Sequence, residues 1–454
     1  MSEGTESELA AIAADIAGAA RAGEQVEAYV VRSRETEIKV FAGEVESLAV
    51  SEAAGIGIRI VADGRQGIAY AGSIDPDVVA ATFADARDNA TFGAPDEGYG
   101  LATPADVGDR EPVALDLWRD DVLGTSTDAK VDFTVAVDRA VLAADARVRG
   151  VESTDYGDAA LEMAMVASTG VTAGMRRTSS SVSSSAMAGD RDETQTGFGF
   201  DVARSFGELR VDHVAAMAAE RATRLLGATQ PATRRLPVVF DPMVAASVLS
   251  LIGSALNGEA VLRGRSMFAD RVGEAIAAPI VSIADDPTNP AAFGAVAVDG
   301  EGVPTRPVAL VENGQLLGFL HNLYTARRSG AQTTGSAVRS YASTPGVGAR
   351  ALHLRPGPMA ADAVMASVPE ALYVQSVSGL HSGTNPVSGD FSVGAEGLMV
   401  RDGQFAEPVR EITIASTLQR MLLDVLAVGS DLTWLPGGTA GVTLLIDDMT
   451  MAGA

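Results

Sequence analysis

Closely spaced strand signals between residues 26 and 70 constrain the fold of this chain more than any other feature of its sequence. Five strand-like segments follow one another there, at residues 26–32, 35–41, 45–51, 55–61 and 66–70. Turn sequences separate them, among them Ala42-Gly43 and Asp63-Gly64, and an Asp-Gly pair favours a two-residue hairpin loop. The sequence therefore predicts β-hairpins at the start of the chain.

Helical patterns and further strands follow this region. The predicted helices cover residues 9–22, 76–89, 130–147 and 209–226, and strands return between residues 151 and 187. The polar, proline-containing segment 230–235 marks the boundary that we expect between domains 1–230 and 236–454. The remainder is dominated by strands, at residues 279–283, 307–319, 372–378, 391–400, 403–415 and 441–446, with one predicted helix at 416–428. A length of 454 residues also favours more than one hydrophobic core.

The composition excludes several classes of function. The 34 Lys and Arg residues against 59 Asp and Glu residues give a net charge of −25, which repels DNA and anionic membranes. Without cysteine, the chain has no disulfides, no thiolate chemistry and no Cys-type zinc site. Residues 1–8 are acidic, unlike a signal peptide, and no run approaches the roughly 18 apolar residues of a membrane span. We therefore expect a cytoplasmic protein that binds neither nucleic acid nor membrane.

Catalytic motifs are scarce. No two histidines stand at the spacing that places two imidazoles on one helix face; the four are His213, His321, His353 and His381. The sequence contains no H-E-x-x-H motif and no G-x-S-x-G nucleophile elbow. Gly197 and Gly199 lack the third glycine of a dinucleotide site and fit a strand or turn instead. The acid pair Asp285-Asp286 follows a predicted strand and fits a turn.

Several short motifs follow one another along nearly the whole chain. They are Gly55-Ile56-Gly57-Ile58-Arg59, Asp63-Gly64-Arg65-Gln66-Gly67, Arg263-Gly264-Arg265-Ser266, Thr334-Gly335 with Arg339, the segment from Asn385 to Ala395, and Met449-Thr450-Met451-Ala452-Gly453. Each is weak alone, but their order and spacing resemble the TldD/TldE (PmbA) peptidase family, also called modulators of DNA gyrase. The resemblance implies an α+β fold, with an N-terminal mixed α/β domain and a C-terminal domain dominated by a large, mostly antiparallel β-sheet.

The same resemblance points to the helix that opens the second domain. TldD-type subunits carry an H-E-x-x-x-H zinc motif there, and alignment back from Arg263-Gly264 places Leu249, Ser250 and Ser254 at its first His, its Glu and its second His. Leucine has no donor atom, and an un-ionised serine hydroxyl is a poor zinc ligand. TldD-type subunits also share a late cysteine ligand, and this chain has no cysteine. We therefore expect no metal or other cofactor in this chain.

The resemblance implies a TldE-like, non-catalytic subunit of a heteromeric zinc metallopeptidase. A TldD-like partner is expected to hold the zinc and to cleave unfolded peptides or peptide precursors, while this chain forms a homodimer when the partner is absent. An extended peptide would bind by pairing with a sheet edge. We assign four residues to a candidate peptide groove or cavity: Arg339, Tyr341, His381 and Asn385.

Two other functions stay open on the sequence alone. One is a macromolecule-binding modulator associated with gyrase, although a net charge of −25 disfavours direct contact with DNA. The other is an independent, non-zinc hydrolase that uses carboxylates or His381, beside the glycine-rich stretch 379–389. A neighbouring gene for an H-E-x-x-x-H relative would favour the subunit, and chelator-resistant cleavage by this chain alone would favour the hydrolase.

Overall fold

The computed structural model of the protein describes residues 2–190 and 193–454. Helices before residue 227 are α1 (Ser2–Gly18), α2 (Pro76–Phe92), α3 (Pro104–Val107), α4 (Asp121–Gly124), α5 (Thr127–Ala143) and α6 (Val211–Thr223). The strands of this part are β1 (Glu24–Phe41), β2 (Glu44–Ala62), β3 (Arg65–Ala71), β4 (Val148–Ala167), β5 (Thr172–Ala188) and β6 (Gln195–Ala203). Within the described residues, no helix is both long and apolar enough to cross a membrane.

Strands β1 to β6 form one antiparallel sheet in the order β3-β2-β1-β4-β5-β6. Its first turns are those that the sequence predicts. Ala42 and Gly43 have φ angles of 52° and 78°, and Asp63 and Gly64 have φ angles of 50° and 70°. Two successive left-handed residues are typical of the type I′ turn, which matches the twist of a hairpin. The hairpin β1–β2 fixes the register in which Glu27 faces Arg59.

The five short strands expected between residues 26 and 70 are three longer strands. Residues 26–32 and 35–41 both belong to β1, and residues 45–51 and 55–61 both belong to β2. Strand β1 pairs with both β2 and β4 through Ser33 and Arg34, where no proline or glycine weakens the ladder. The division of each strand into two segments was therefore wrong.

Helices of the first part cover one face of this sheet. At one end, α1 and α2 pack on the apolar residues Val26, Ala28, Val30, Ile56, Ile58 and Ile60. Toward the other end, α5 and α6 pack around Ile38, Val40, Tyr156 and Val182. Gly197 and Gly199 let α6 lie directly on β6, since a Cβ at Gly197 would stand 2.1 Å from Ala222 N. The assignment of these two glycines to a strand is confirmed.

The second part of the chain begins with β7. Its helices are α7 (Pro242–Ala255), α8 (Gly258–Leu262), α9 (Leu323–Ser329), α10 (Ala361–Met365), α11 (Leu380–Gly383) and α12 (Leu418–Leu423). Its strands are β7 (Arg234–Phe240), β8 (Ile283–Asp285), β9 (Val308–Glu312), β10 (Gln315–Leu316), β11 (Ala337–Val338), β12 (Gly346–Val347), β13 (Leu352–Leu354), β14 (Glu370–Ser378), β15 (Asp390–Arg401), β16 (Gln404–Thr417), β17 (Val425–Val428), β18 (Thr433–Trp434), β19 (Ala440–Gly441) and β20 (Leu444–Ala452).

The main sheet of the second part runs in the order β16-β15-β14-β7-β20-β17. Strand β16 also pairs with β20, which closes the sheet into a barrel. Neighbouring strands are antiparallel except β14 and β7, which pair in parallel among the described residues. Helix α7 joins the barrel's apolar core through Val244, Val248, Leu249 and Ile252. The predicted α+β fold with a large, mostly antiparallel C-terminal sheet is confirmed.

The helix predicted at residues 416–428 is only partly present. Helix α12 ends at Leu423, and Val425 already pairs with Ile446 of β20. Valine at positions 425 and 428 suits a strand when a neighbouring strand is available. Tertiary pairing therefore ends the helix early.

Residues 227–233 connect the two parts. Thr229 N donates to Pro408 O, and Arg410 N donates to Thr229 O, so this connection lies against the barrel. The first sheet ends at Ala203 and the barrel begins at Arg234. The division into domains 1–230 and 236–454 stays a prediction.

Candidate functional site

Helix α7 contains the three positions that correspond to the zinc motif. Leu249 is 2% exposed and packs in the barrel core. Ser250 Oγ lies 2.9 Å from Thr439 Oγ1, and Ser254 Oγ donates to Leu251 O at 2.7 Å. The helix is therefore accounted for by packing and by local hydrogen bonds, and none of the three side chains presents an imidazole or a carboxylate.

The histidines belong to separate elements and do not assemble a metal site. His321 Nδ1 lies 3.1 Å from Thr325 Oγ1, and burial lowers the pKa of His321. His353 Nδ1 lies 3.0 Å from Ala351 O, with its ring against that of Trp434. Across residues 2–190 and 193–454, no three His, Asp or Glu side chains are grouped as metal ligands. These residues do not fit a zinc ion.

Two of the four candidate groove residues lie where the second part meets the first sheet. Tyr341 packs across β2: a Cβ at Gly57 would stand 1.9 Å from Tyr341 O, and one at Gly55 would stand 2.7 Å from its ring. Only glycine permits so close an approach of two backbones. The Tyr341 ring also meets that of Tyr70 edge to face, with centroids 6.4 Å apart. This contact explains the glycines of the Gly55-Ile56-Gly57 motif.

Arg339, the second of these residues, belongs to a buried ionic network. Its Nη1 donates to Glu27 Oε1, and its guanidinium lies 4.7 Å from the centre of the Tyr29 ring. Arg59 Nη2 donates to Glu27 Oε2 at 3.1 Å, and Arg59 Nη1 lies 3.5 Å from Glu301 Oε1. Burial opposes ionisation of Glu27, but the two guanidinium groups outweigh it and lower the pKa of Glu27. The network ties both parts of the chain together.

Asp299 and Glu301 extend the network into the loop before β9. The Asp299 carboxylate accepts three backbone N–H groups, those of Glu301, Val303 and Ala337. Burial, aided by the charge of Glu301, raises the pKa of Asp299 to about 7. Burial also raises the pKa of Glu301, against the nearby Arg59. These acids are enclosed and already hydrogen-bonded, so they position the loop and are not reachable by a substrate.

His381 and Asn385 lie elsewhere, before β15 of the barrel. His381 is exposed on α11. Asn385 Oδ1 accepts the N–H groups of Val387 and Ser388 at 2.9 and 3.2 Å, which makes the residue a turn former. No described hydrogen bond, ion pair or ring contact joins this turn to Arg339. The structure therefore brings Arg339 and Tyr341 together on the first sheet, whereas His381 and Asn385 lie apart from them. The role of all four residues in a peptide groove stays a prediction.

Models of known protein domains match this chain along most of its length. Three family models match it in order: PmbA/TldA metallopeptidase domain 1 at residues 26–90, the central domain at residues 120–226, and the C-terminal domain at residues 233–453. The chain belongs to the PmbA/TldD metallopeptidase family. The resemblance inferred from the sequence motifs is confirmed.

Individual members of the PmbA/TldD family align with nearly the full chain. The metalloprotease PmbA of Escherichia coli O157:H7 is 26% identical over 94% of this chain and 92% of its own length. A protein of Thermotoga maritima described as a putative modulator of a DNA gyrase superimposes with a TM-score of 0.88 at 24% identity, covering 100% of both chains. TldE of Thermococcus kodakarensis superimposes with a TM-score of 0.87 at 23% identity, covering 98% of this chain and 99% of its own. The two structural matches show a shared fold.

Sequence reasoning missed Glu27, Asp299 and Glu301, and it treated Arg59 only as part of a motif. A usable signal was present in this PmbA/TldD family member: Glu27 and Arg59 each interrupt an apolar strand segment. A charge in a buried strand needs a partner. The hairpin register places these two opposite each other, so the pair was open to prediction.

Proposed function

We propose that this chain is the TldE-like, non-catalytic subunit of a heteromeric metallopeptidase whose zinc is bound by a TldD-like partner. The chemistry of α7 carries the proposal. Leu249 is buried and has no donor atom, and the Ser250 and Ser254 hydroxyls are already engaged by Thr439 and by the backbone of Leu251. A zinc site needs imidazole, thiolate or carboxylate ligands in place of these groups.

The intact scaffold supports a structural role. The fold matches the Thermotoga maritima protein over the full length of both chains. In the buried network, Glu27 is paired with both Arg59 and Arg339, and losing one member of such a network is costly. A family fold that lacks ligand groups at these positions of α7 is what a supporting subunit requires. We propose that the surface used for the partner forms a homodimer when the partner is absent.

An open sheet edge supports peptide binding by strand addition. Strand β3 pairs with β2 only over Ile56–Ala62, so residues 44–55 of β2 have no strand on that side within the described chain. Residues 44–53 are all exposed, including Leu48 at 46% and Val50 at 43%. An edge with free backbone groups accepts an extended peptide as an additional strand. Tyr341 packs against Gly55, where this edge begins.

Reconstitution with a TldD-like family member that carries the H-E-x-x-x-H motif tests the subunit role. An unfolded peptide is incubated with the pair, with each protein alone, and with the pair plus a chelator. Cleavage is expected only from the pair without chelator. The double variant Ser250→Ala/Ser254→Ala is the matched control and is expected to leave cleavage unchanged, because neither hydroxyl binds metal. Equal cleavage by the partner alone would reject the proposal.

The other functions have less support. The name of the Thermotoga maritima protein refers to DNA gyrase, yet a net charge of −25 opposes contact with DNA phosphates. An independent hydrolase would need a reactive group in a cleft, and His381 is an exposed side chain on the four-residue helix α11. Chelator-resistant cleavage by this chain alone would instead support that hydrolase.

A further inference from the structure

Several arginines form no ion pair in the part of the chain that the structure describes, although the chain has a net charge of −25. Three of them, Arg177, Arg204 and Arg350, are buried or half-buried and lie near one another, since, besides burial, the charge of Arg350 lowers the pKa of Arg177 and that of Arg177 lowers the pKa of Arg204. Acidic residues outnumber basic ones in the whole sequence, so three buried or half-buried cations that form no ion pair are unexpected; the buried Asp285 carboxyl interacts with the charge of Arg350 but forms no ion pair with it. These three arginines therefore carry positive charge that no described ion pair neutralises.

The three residues lie where the second part of the chain packs on the first sheet. Arg177 lies on β5, two residues before Ser179 on the same face. Arg204 directly follows the last residue of β6, and Ala203 there pairs with Ser180, so Arg204 lies beside Ser179. From the second part, Ala292 O accepts Arg204 Nη2 at 2.7 Å. The Arg350 backbone packs on the same loop, because a Cβ at Gly294 would stand 1.8 Å from Arg350 O.

Most hydrogen-bond donors of these guanidinium groups are free. Arg204 uses Nη2 for Ala292 O, and its remaining N–H groups have no partner among the described residues. The Arg177 side chain likewise makes no hydrogen bond there, and Arg350 Nε is buried without one. Burial lowers the pKa of Arg177, and the neighbouring Arg350 lowers it further. Burial and the charge of Arg177 lower the pKa of Arg204 in the same way.

A cleft of about 370 Å³ opens onto Arg204. Two further arginines line it, but each already has an acid: Arg210 binds Asp201 through two nitrogens at 2.9 Å, and Arg119 lies 2.9 Å from Asp116. Glu208 is an unpaired acid at the exposed rim, where water screens its charge. Arg177 and Arg350 add positive charge behind the cleft. The cleft lining holds three arginines and three acids, so the excess of positive charge at Arg204 comes from Arg177 and Arg350.

We propose that this cleft binds an oxyanion, with Arg204 in direct contact and Arg177 and Arg350 supplying the surrounding positive charge. Guanidinium groups with free N–H donors bind carboxylates and phosphates through charge-assisted hydrogen bonds. Two sources share this chemistry: the carboxylate of a peptide and free phosphate. The peptide source rests on the proposed function, because it would hold an acidic group of the substrate beside the sheet. The phosphate source is independent of it.

The packing role of Arg204 does not remove the need for an anion. Its bond to Ala292 O and its position 5.7 Å from the Phe293 ring centre explain how the side chain is held. A neutral side chain of similar length would satisfy the carbonyl without burying a charge. Three such cations in one place are explained by a shared negative ligand.

Calorimetric titration of the full chain tests the site with three probes. The probes are inorganic phosphate and one short peptide in two forms, with a free C-terminal carboxylate or with an amide. The variants are Arg204→Gln and Arg177→Gln. The control is Arg263→Gln, since Arg263 is 60% exposed and already paired with Glu259. Binding of phosphate or the acid peptide is expected to weaken roughly ten-fold in Arg204→Gln, as loss of a charged hydrogen bond requires, and to be unchanged in the control.

The two sources give different results. Binding of the acid peptide at least about ten-fold tighter than the amide assigns the site to a peptide carboxylate. Phosphate binding with no difference between the two peptides assigns it to free phosphate. If neither phosphate nor the acid peptide binds, or if Arg204→Gln binds them as tightly as the unchanged chain does, the proposal is wrong. Should Arg204→Gln fail to fold, Arg177→Gln decides, because that side chain makes no described hydrogen bond: weaker binding than in the unchanged chain supports the proposal, and equal binding rejects it. These titrations use this chain alone. A failure to bind the probes would therefore leave the reconstitution experiment as an independent test of the proposed function.

Discussion

Glu27 and Arg59 face each other across the β1–β2 hairpin, with Arg59 Nη2 3.1 Å from Glu27 Oε2 and both side chains almost completely shielded from water. The second oxygen of Glu27 accepts Arg339, which lies 312 residues further along the chain. A carboxylate buried this deeply is stable only with both partners. Burial of the Glu27–Arg59 pair therefore requires that the second part of the chain packs on the first sheet, because that part supplies Arg339.

Replacing Arg59 by leucine is expected to lower the free energy of unfolding by about 3–5 kcal/mol, because Glu27 and Glu301 would lose a buried counter-charge. Arg34→Leu is the matched control in the same hairpin. Arg34 lies 3.7 Å from Glu52, with the two side chains 46% and 75% exposed, and such a pair contributes at most about 1 kcal/mol. Urea unfolding of both variants measures the difference. Equal effects would show that the buried network does not stabilise the junction.

The parts of this fold that depend on local sequence could be predicted. Asp63-Gly64 indicated a hairpin because few residue pairs adopt two successive left-handed conformations without strain. The helix predicted from residue 76 does begin there, because Pro76 suits its first turn and Asp75 Oδ1 accepts the N–H of Asp77. The loss of zinc ligands at Leu249 was also readable, since it depends on residue type alone.

The parts that depend on distant partners could not be predicted. Val425 forms a strand because Ile446 lies beside it, and no local pattern reveals that pairing. Asp285 was assigned to a turn, yet it is 1% exposed and accepts the N–H groups of Arg350 and Ala351. The grouping of Arg177, Arg204 and Arg350 likewise brings together segments far apart in sequence.

Asp285→Asn is expected to change how stability depends on pH. Burial raises the pKa of Asp285 to about 6, from an ordinary value of 3.8. Between these values the folded chain keeps a proton that the unfolded chain has lost, so stability falls as pH rises from about 4 to about 6 and stays lower above. Asparagine keeps the acceptor oxygen for Arg350 and Ala351 but does not ionise.

The stability of Asp285→Asn relative to the unchanged chain should therefore increase by about 2 kcal/mol between about pH 4.5 and about pH 8. Denaturant unfolding at the two pH values measures this gain. Asp286→Asn, a change at the neighbouring acid, is the control and should show no such gain. If the stability difference between Asp285→Asn and the unchanged chain is the same at both pH values, the raised pKa of Asp285 is contradicted.

Gly57→Ala is expected to separate the segment around Tyr341 from the first sheet. The added Cβ would stand 1.9 Å from Tyr341 O, so the two backbones must move apart at a cost of about 1–3 kcal/mol. Gly174→Ala is the control in the same sheet, where the nearest atom, Met163 O, would lie at an ordinary 3.8 Å. Thermal unfolding compares the two variants. An unchanged melting temperature for Gly57→Ala would show that this close approach is not needed.

The purified chain is expected to contain no stoichiometric zinc, because Leu249, Ser250 and Ser254 offer no suitable ligand. Elemental analysis measures the zinc content after the chain has been exposed to zinc and dialysed against zinc-free buffer. Leu249→His alone should not restore binding and should destabilise the chain, since it puts a polar ring into the barrel core. Tightly bound metal that is lost on changing His321, His353 or His381 would overturn this expectation.

The exposed edge of β2 gives the last prediction. Leu48→Lys/Val50→Lys adds two charges at side chains that are 46% and 43% exposed, so stability should change by no more than about 0.5 kcal/mol. Charged residues block pairing at a sheet edge, and two lost apolar cross-strand contacts are expected to reduce peptide cleavage by the reconstituted pair about ten-fold. Leu423→Lys/Leu426→Lys is the control: both side chains are 47% exposed, but they lie at α12 and β17. Peptide titration of each pair separates weaker binding from slower turnover. If both double variants leave cleavage and peptide affinity unchanged, the peptide does not use this edge.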